Sequence, residues 1–194
     1  MTSRGRHRLT AATFAVLLTL APTVGAETLT GLRPAEPQPT QVTPGLATEY
    51  TYVKVNWIEQ LKGRKFEPGP PLANLNYRWG GGNVLTSKVR EEVGANITGF
   101  IRFEKPGVYG FEVTSNDGIW VELGGKMLHQ DDGVHPDSTS DRLDVKIDQP
   151  GWYPLKITYF QKKGTASLVL AWIGPGEKGK MVPVPATAFG HVKK

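Results

Sequence analysis

The 194-residue sequence contains no cysteine. Disulfide bonds are therefore excluded, so the folded chain must rely on its hydrophobic core. The same absence excludes thiol catalysis, metal sites built from thiolates and a lipid-anchored cysteine. Apolar residues make up 39% of the chain and charged residues 21%. This balance is typical of a globular protein, and the length suits one domain of ordinary size.

The sequence also lacks a convincing membrane span. The apolar run from Leu9 to Ala21 is too short to cross a bilayer comfortably, and three arginines precede it. Small residues up to Ala26 follow the run, which completes the pattern of a secretory signal peptide over residues 1–26. We therefore predict export to the periplasm or the extracellular space, with no membrane span after cleavage. An N-terminal membrane anchor is the alternative.

Charge of one sign is not strongly in excess. The formal net charge is +5, and the predicted signal peptide holds three arginines and no acid, so its removal leaves +2. The remaining lysines and arginines are scattered and do not interleave with aromatic residues. We therefore expect no nucleic-acid partner.

Two common catalytic signatures are missing. The sequence has no Gly-x-Ser-x-Gly nucleophile elbow and no glycine-rich loop of the kind that cradles phosphate. A glycosidase would need two carboxylates at a defined separation, which spacing along strands does not establish. We therefore predict that the protein is not an enzyme.

Glycine and proline, by contrast, are abundant, with 23 and 15 residues. Four prolines and few large apolar side chains fall within residues 27–49, so we predict a disordered or extended Pro-rich linker or arm that buries too little surface to order itself. From Tyr50 onward, short alternating apolar segments are separated by glycine and proline turns. This pattern predicts an all-β, antiparallel β-sandwich over residues 50–190.

The strand signals are clearest after Gly94. Ile119, Val121 and Leu123 should share one face of a strand, with Trp120 on the opposite face. The pair Gly124-Gly125 suits the turn of a tight hairpin. Residues 84–93 are the one stretch whose pattern permits a helix, with Ser87 as its candidate N-cap.

One corner between two strand segments carries candidate ligand-binding residues. Asn116, Asp117 and Gly118 stand side by side there. Two adjacent oxygen-bearing side chains can hold a cation or sugar hydroxyls. The same three residues also suit a plain turn, in which the side chains bond nearby backbone and Gly118 adopts a positive φ. Both interpretations stay open.

Further candidates follow the corner in the chain. An exposed Trp120 could stack on the apolar face of a sugar ring, and the alternative is that it packs under the loop of residues 130–140. His135 is a candidate ligand-binding residue in that loop. It belongs to a polar cluster that matches no recognised metal-ligand spacing and is better explained as a solvated loop. The cluster comprises His129, Asp131, Asp132, His135 and Asp137.

The order of these motifs resembles the PA14 domain family. The segment NITGFIRFEKPGVYGFEVTSNDG resembles the family's strand, Pro-x-Gly turn and aromatic strand ending in a Ser-x-Asp-Gly corner, and GGKML resembles the hairpin that follows. The segment QPGWYPLKITYFQKKGTASLVLAWIGPG resembles the family's later hairpin. The resemblance extends from Tyr50 to Phe189.

The resemblance implies a PA14-type β-sandwich, a fold that occurs in adhesins, glycosidases and toxins. In the sugar-binding adhesins of the family, two adjacent aspartates hold a calcium ion that helps to ligate sugar hydroxyls. The resemblance thus makes Asn116 and Asp117 metal ligands for Ca²⁺, with asparagine replacing the first aspartate and removing one negative charge. It implies an exported carbohydrate-recognition module, whose partner is a glycan or another cell-envelope component. The alternative is a periplasmic or cell-surface structural or protein-interaction domain without sugar binding.

Overall fold

The computed structural model describes residues 27–193, so the predicted signal peptide lies outside the described residues. Strands dominate this range, and its two helices are short 3₁₀ turns, Ile58–Leu61 and Ala186–Ala188. No helix within the described range has the length and apolar character needed to cross a membrane. The predicted all-β fold is confirmed.

The strands are numbered in chain order. They are β1 (Thr43–Pro44), β2 (Leu46–Tyr52), β3 (Glu67–Leu72), β4 (Asn76–Trp79), β5 (Val93–Phe103), β6 (Gly107–Asn116), β7 (Ile119–Leu123), β8 (Lys126–Asp131), β9 (Ser138–Thr139), β10 (Leu143–Ile147), β11 (Gly151–Gln161), β12 (Ala166–Ile173), β13 (Val182–Pro183) and β14 (Phe189–His191).

Two antiparallel sheets form the sandwich. The first sheet has the order β10-β6-β12-β13, with β4 also paired to β12 and β9 to β6. The second sheet has the order β1-β14-β5-β11-β7-β8, and β2 joins it by pairing with β5 and β3. The ladder between β5 and β11 is the longest and runs from Val93–Gln161 to Phe103–Gly151. This long central pair gives the second sheet a rigid base for the loops at its ends.

The core lies between the sheets and is formed by alternate apolar side chains. Ile119, Val121 and Leu123 are buried there, while Trp120 points to the outer face of the second sheet, as predicted. Aromatic rings fill one end, where Phe103 and Tyr109 meet edge to face with their centroids 4.8 Å apart. Gly124 and Gly125 have φ values of 56° and 79°, the left-handed conformation that the predicted hairpin turn requires.

Residues 27–49 are extended but are packed on the sandwich, and the prediction that they bury too little surface to order themselves is wrong. The Leu29 amide donates to the Asp144 carbonyl at 2.8 Å, and Leu32 and Ala35 are buried. The first long strand begins at Leu46 rather than Tyr50. Backbone hydrogen bonds to the carbonyls of Asp144, Gly124 and Trp152 satisfy part of this segment, so a few apolar side chains suffice to hold it.

The helix permitted for residues 84–93 does not form. Leu85 and Glu92 have positive φ values of 52° and 59°, which a right-handed helix cannot contain. Ser87 caps no helix; its hydroxyl instead donates to the Val89 carbonyl at 3.1 Å. Val84 is fully buried, so its contribution to the core outweighs local helix propensity.

Residues 53–66, here called the covering segment, fold over the outer face of the second sheet. Ile58 and Leu61 of its 3₁₀ turn are buried against Phe160 of β11, together with Val55. Trp120 packs on this second, smaller core while staying partly exposed. The covering segment therefore gives the outer face of the sheet an apolar cover beside the predicted corner.

Candidate functional site

The predicted corner lies at the end of β6 and is turned inward. Asn116 and Asp117 expose only 5% and 3% of their surface. The peptide bond between them is cis. Their side chains therefore act within a packed junction of loops and do not project freely into solvent.

The Asp117 carboxylate ties two loops together. Its Oδ1 accepts the His135 amide at 3.1 Å, and its Oδ2 accepts the Lys162 amide at 2.7 Å. Burial raises the pKa of the Asp117 carboxyl, and the two amide hydrogen bonds offset part of that rise. The plain-turn interpretation expected bonds to nearby backbone, whereas these partners are 18 and 45 residues away.

Asn116 is the second member of this junction. Its Nδ2 donates to Asp137 Oδ1 and to Thr165 Oγ1, both at 3.0 Å, and its carbonyl accepts the buried Tyr159 hydroxyl. These bonds fix the orientation of the amide, since a carboxylate can only accept. Within residues 27–193, no hydrogen bond engages Asn116 Oδ1, which leaves this oxygen as an acceptor for a ligand.

Gly118 has a packing role. A Cβ at this position would lie 2.5 Å from Phe160 Cε1 and 3.0 Å from the Asp132 carbonyl oxygen. Its φ is not positive, so that part of the plain-turn interpretation is wrong. The glycine is needed because Phe160 and the following loop approach the backbone closely.

A solvent-open pocket of about 520 Å³, here called the corner pocket, brings together three of the five predicted ligand-binding residues. Asn116, Asp117 and His135 line it. The His135 ring is held through Nδ1, which lies 2.7 Å from the Pro136 carbonyl oxygen. Its buried Nε2 lies 3.3 Å from Asp131 Oδ2 but forms no hydrogen bond. The remaining lining residues are Glu91, Val134, Pro136, Lys163, Gly164 and Thr165.

Trp120 lies apart from this pocket. Its Nε1 donates to Asp132 Oδ1, and Lys62 Nζ stands 4.8 Å from the centroid of its ring. Trp120 thus meets residues 130–140 through this hydrogen bond, while its packing comes from the second, smaller core beneath the covering segment. The indole lines a different cavity, on the outer face of the second sheet.

Trp57 is a candidate that sequence reasoning missed. Its side chain is 57% exposed, and it lies so close to Gly133 that a Cβ there would be 3.0 Å from Trp57 Cζ3. The next residue in that loop, Val134, is 44% exposed and lines the corner pocket. Val134 therefore forms an apolar rim of the pocket, and Trp57, which lies outside the lining, stands against the neighbouring Gly133. A lone tryptophan in the segment NWIEQL carries no periodic signal that could have revealed this.

The described side chains do not supply a calcium shell at the corner. Ca²⁺ takes six to eight oxygen ligands, and the predicted pair offers one free amide oxygen and a carboxylate that already accepts two N–H groups. Across residues 27–193, no group of three or more His, Asp or Glu side chains is placed to hold a metal. The members of the polar cluster are instead bonded separately: Asp132 bonds Trp120, and Asp137 bonds Asn116.

The raised pKa of Asp117 predicts a pH-dependent contribution to stability. The folded state holds the proton more tightly than the unfolded state, whose carboxyl has the ordinary value of 3.8. Wild-type stability relative to Asp117→Asn should therefore fall as pH rises from 3.8 to the raised value in the folded state. Urea denaturation of both proteins between pH 3 and pH 7 measures this difference. A difference that grows with pH would contradict the burial argument.

Comparison with known proteins identifies the family. The family model of the PA14 domain matches residues 77–184, which is more than half of the chain. The chain belongs to the PA14 family. No curated protein matches its sequence. The predicted resemblance is thus confirmed over the part of the chain that carries its clearest motifs.

Solved PA14 structures share the fold. The PA14 domain of the MpAFP antifreeze protein is 16% identical with a TM-score of 0.64, over 79% of this chain and 93% of that one. The PA14 sugar-binding domain of an RTX adhesin is 17% identical with a TM-score of 0.59, over 77% and 99%. The epithelial adhesin 6 A domain from Candida glabrata, solved with Galβ1-3GlcNAc, is 14% identical with a TM-score of 0.64, over 83% and 92%. At these identities the likeness establishes the fold alone.

Proposed function

We propose that this PA14 domain is an exported carbohydrate-recognition module that binds a glycan in the corner pocket. The observation that carries the proposal is the composition of that pocket. The Asn116 amide oxygen, the Thr165 hydroxyl and the Lys163 ammonium provide acceptors and donors for sugar hydroxyls. Val134 at the rim and Trp57 beside it supply apolar surface for the ring face. A polar floor with an apolar rim is the arrangement that a sugar ring requires.

The related structures support this proposal in part. The RTX adhesin domain is described as sugar-binding, and the Candida glabrata adhesin domain was solved with a disaccharide. Binding is also favoured over catalysis, because the Asp117 carboxylate is buried and held by two amides. The pocket therefore lacks a free acid at its floor, although Glu91 lies at its edge and accepts the Gly164 amide at 2.8 Å.

Calcium stays a prediction of the family resemblance, and the proposed binding does not depend on it. Sugar hydroxyls can bond the Asn116 oxygen and the Thr165 hydroxyl directly. We expect glycan binding to be the same with and without a chelator, and the melting temperature to be unchanged on adding Ca²⁺. A rise of several degrees with Ca²⁺ would show that main-chain oxygens complete a shell that the side chains lack.

A glycan array of residues 27–194 tests the proposal, with the Trp57→Ala variant measured on any glycan that binds. We expect a loss of affinity of about tenfold, which corresponds to about 1.4 kcal/mol for the stacking surface removed. Isothermal titration calorimetry measures this loss. The variant should fold normally, since the side chain is largely exposed.

The matched control is Trp152→Ala, because Trp152 is a tryptophan of β11, in the sheet that the covering segment overlies, and does not line the corner pocket. An equal loss in both variants would contradict the placement of the sugar at the corner. Silence on every glycan would overturn carbohydrate recognition and leave the structural or protein-interaction alternative. Export is tested separately by fractionating cells that express the full chain, where we expect the mature protein outside the cytoplasm.

A further inference from the structure

A second cavity lies on the outer face of the second sheet, between the sheet and the covering segment. Its volume is about 310 Å³, at the small end of the range for small-molecule sites. It shares no lining residue with the corner pocket. It is therefore an independent candidate site, here called the outer-face cavity.

The outer-face cavity is positively charged. Three cations line it, Lys62, Arg64 and Lys156, against one acid, Glu122. Lys156 Nζ pairs with Glu122 Oε1 at 2.8 Å, which leaves the other two charges uncompensated by acids of the cavity. The site therefore favours an anionic ligand.

The two remaining cations are held by groups that do not neutralise them. Lys62 Nζ rests over the Trp120 ring at 4.8 Å from its centroid, an arrangement that orients an ammonium without removing its charge. Arg64 Nε donates to the Gln60 carbonyl at 3.1 Å, which leaves the two terminal nitrogens of its guanidinium for a carboxylate. Both side chains come from the covering segment and face a rigid sheet.

The rest of the lining suits a sugar ring. Trp120 and Phe66 are aromatic and only partly buried, so they offer apolar surface. Thr158 Oγ1 donates to Asn96 Oδ1 at 3.4 Å, which leaves the Asn96 NH₂ group as a donor. The Glu122 carboxylate can accept hydroxyl protons. Cations, an amide, an acid and aromatic rings thus surround one small cavity.

We infer that the outer-face cavity binds a uronate residue of an acidic polysaccharide. The carboxylate would pair with Arg64 and Lys62, and the ring hydroxyls would bond Asn96 and Glu122. A groove of about 790 Å³ lies on the other side of Lys156, which lines both, so the neighbouring residues of a polymer could extend toward it across the sheet. An acidic peptide would use the cations but not the hydroxyl-binding groups, so the sugar is the better fit.

Binding of a galacturonate hexamer, measured by calorimetry, tests this inference. We expect the acidic hexamer to bind and its methyl-esterified, neutral form to bind at least tenfold more weakly. Raising the salt concentration should weaken binding of the acidic form, because exposed charges are screened. The variant Lys62→Gln, Arg64→Gln, Lys156→Gln should lose at least tenfold in affinity.

The matched control is Lys146→Gln, Lys178→Gln, Lys180→Gln, which removes three positive charges from residues outside the cavity. An equal loss in both triple variants would overturn the assignment to this cavity. If poly-glutamate binds equally well, the cavity binds polyanions in general and the assignment to a uronate is wrong. The Trp57→Ala variant should bind the hexamer normally, so failure of the corner pocket and failure of this cavity can be told apart.

Discussion

The Asp117→Ala variant is expected to melt about 10 °C below the wild-type protein. The substitution leaves the partly buried amides of His135 and Lys162 without acceptors, and each unsatisfied donor costs up to about 1–3 kcal/mol. The combined loss of stability is about 2–6 kcal/mol. In a domain of this size each kcal/mol lowers the melting temperature by about 2–4 °C. Differential scanning calorimetry of residues 27–194 measures the shift.

Two further variants distinguish the effect of losing these two hydrogen bonds from the effect of losing a negative charge. Asp117→Asn keeps one acceptor but turns an NH₂ group toward one of the amides. Its melting temperature should therefore lie between those of the wild type and Asp117→Ala. Asp137→Ala removes an exposed carboxylate that bonds Asn116 at the same junction, and only a small shift is expected. If Asp117→Ala melts like Asp137→Ala, the carboxylate does not hold the two loops together.

The sequence predicts where the corner lies in the chain but not which way its side chains point. Period-two alternation correctly assigns Ile119 and Trp120 to opposite faces, because successive side chains of a strand must alternate. Nothing local, however, determines where the Asp117 carboxylate points. Its partners are the amides of His135 and Lys162, which reach it only once two distant loops have been placed by the two sheets. Residues that read as a turn motif in the sequence therefore form a buried junction between loops in the structure.

The position of the covering segment also could not be predicted from local sequence patterns. Val55, Ile58 and Leu61 do not repeat at the spacing of a strand, and the 3₁₀ turn that presents them is too short to carry a helical pattern. Their partner, Phe160, lies on β11, about a hundred residues further along the chain. Neither Trp57 beside the corner pocket nor Lys62 over Trp120 could be assigned a place before that contact was known. The packing of residues 27–49 was not predicted for a related reason. Composition does not reveal which backbone groups elsewhere in the fold are free to bond this segment.

Replacing Phe160 with alanine should have the other large effect, because both candidate sites depend on the contact it makes. Phe160 is fully buried beneath the covering segment, and removing a buried phenylalanine side chain costs about 3–5 kcal/mol. We expect the melting temperature to fall by about 10 °C or more. Hydrogen exchange should also accelerate in residues 53–66 more than in the central strands β5 and β11, because the second core loses its largest side chain.

Phe100→Ala is the matched control, since Phe100 lies on β5 of the same sheet, is only partly buried and does not belong to the second core. Its exchange pattern over residues 53–66 should resemble the wild type. Loosening the covering segment should weaken the corner pocket through Trp57 and the outer-face cavity through Lys62 and Arg64, so Phe160→Ala should lose affinity for both a neutral glycan and the galacturonate hexamer. Unchanged exchange in residues 53–66 would show that this segment is held by bonds such as that from the Ile58 amide to the Asp132 carbonyl, and not by its apolar contact with the sheet.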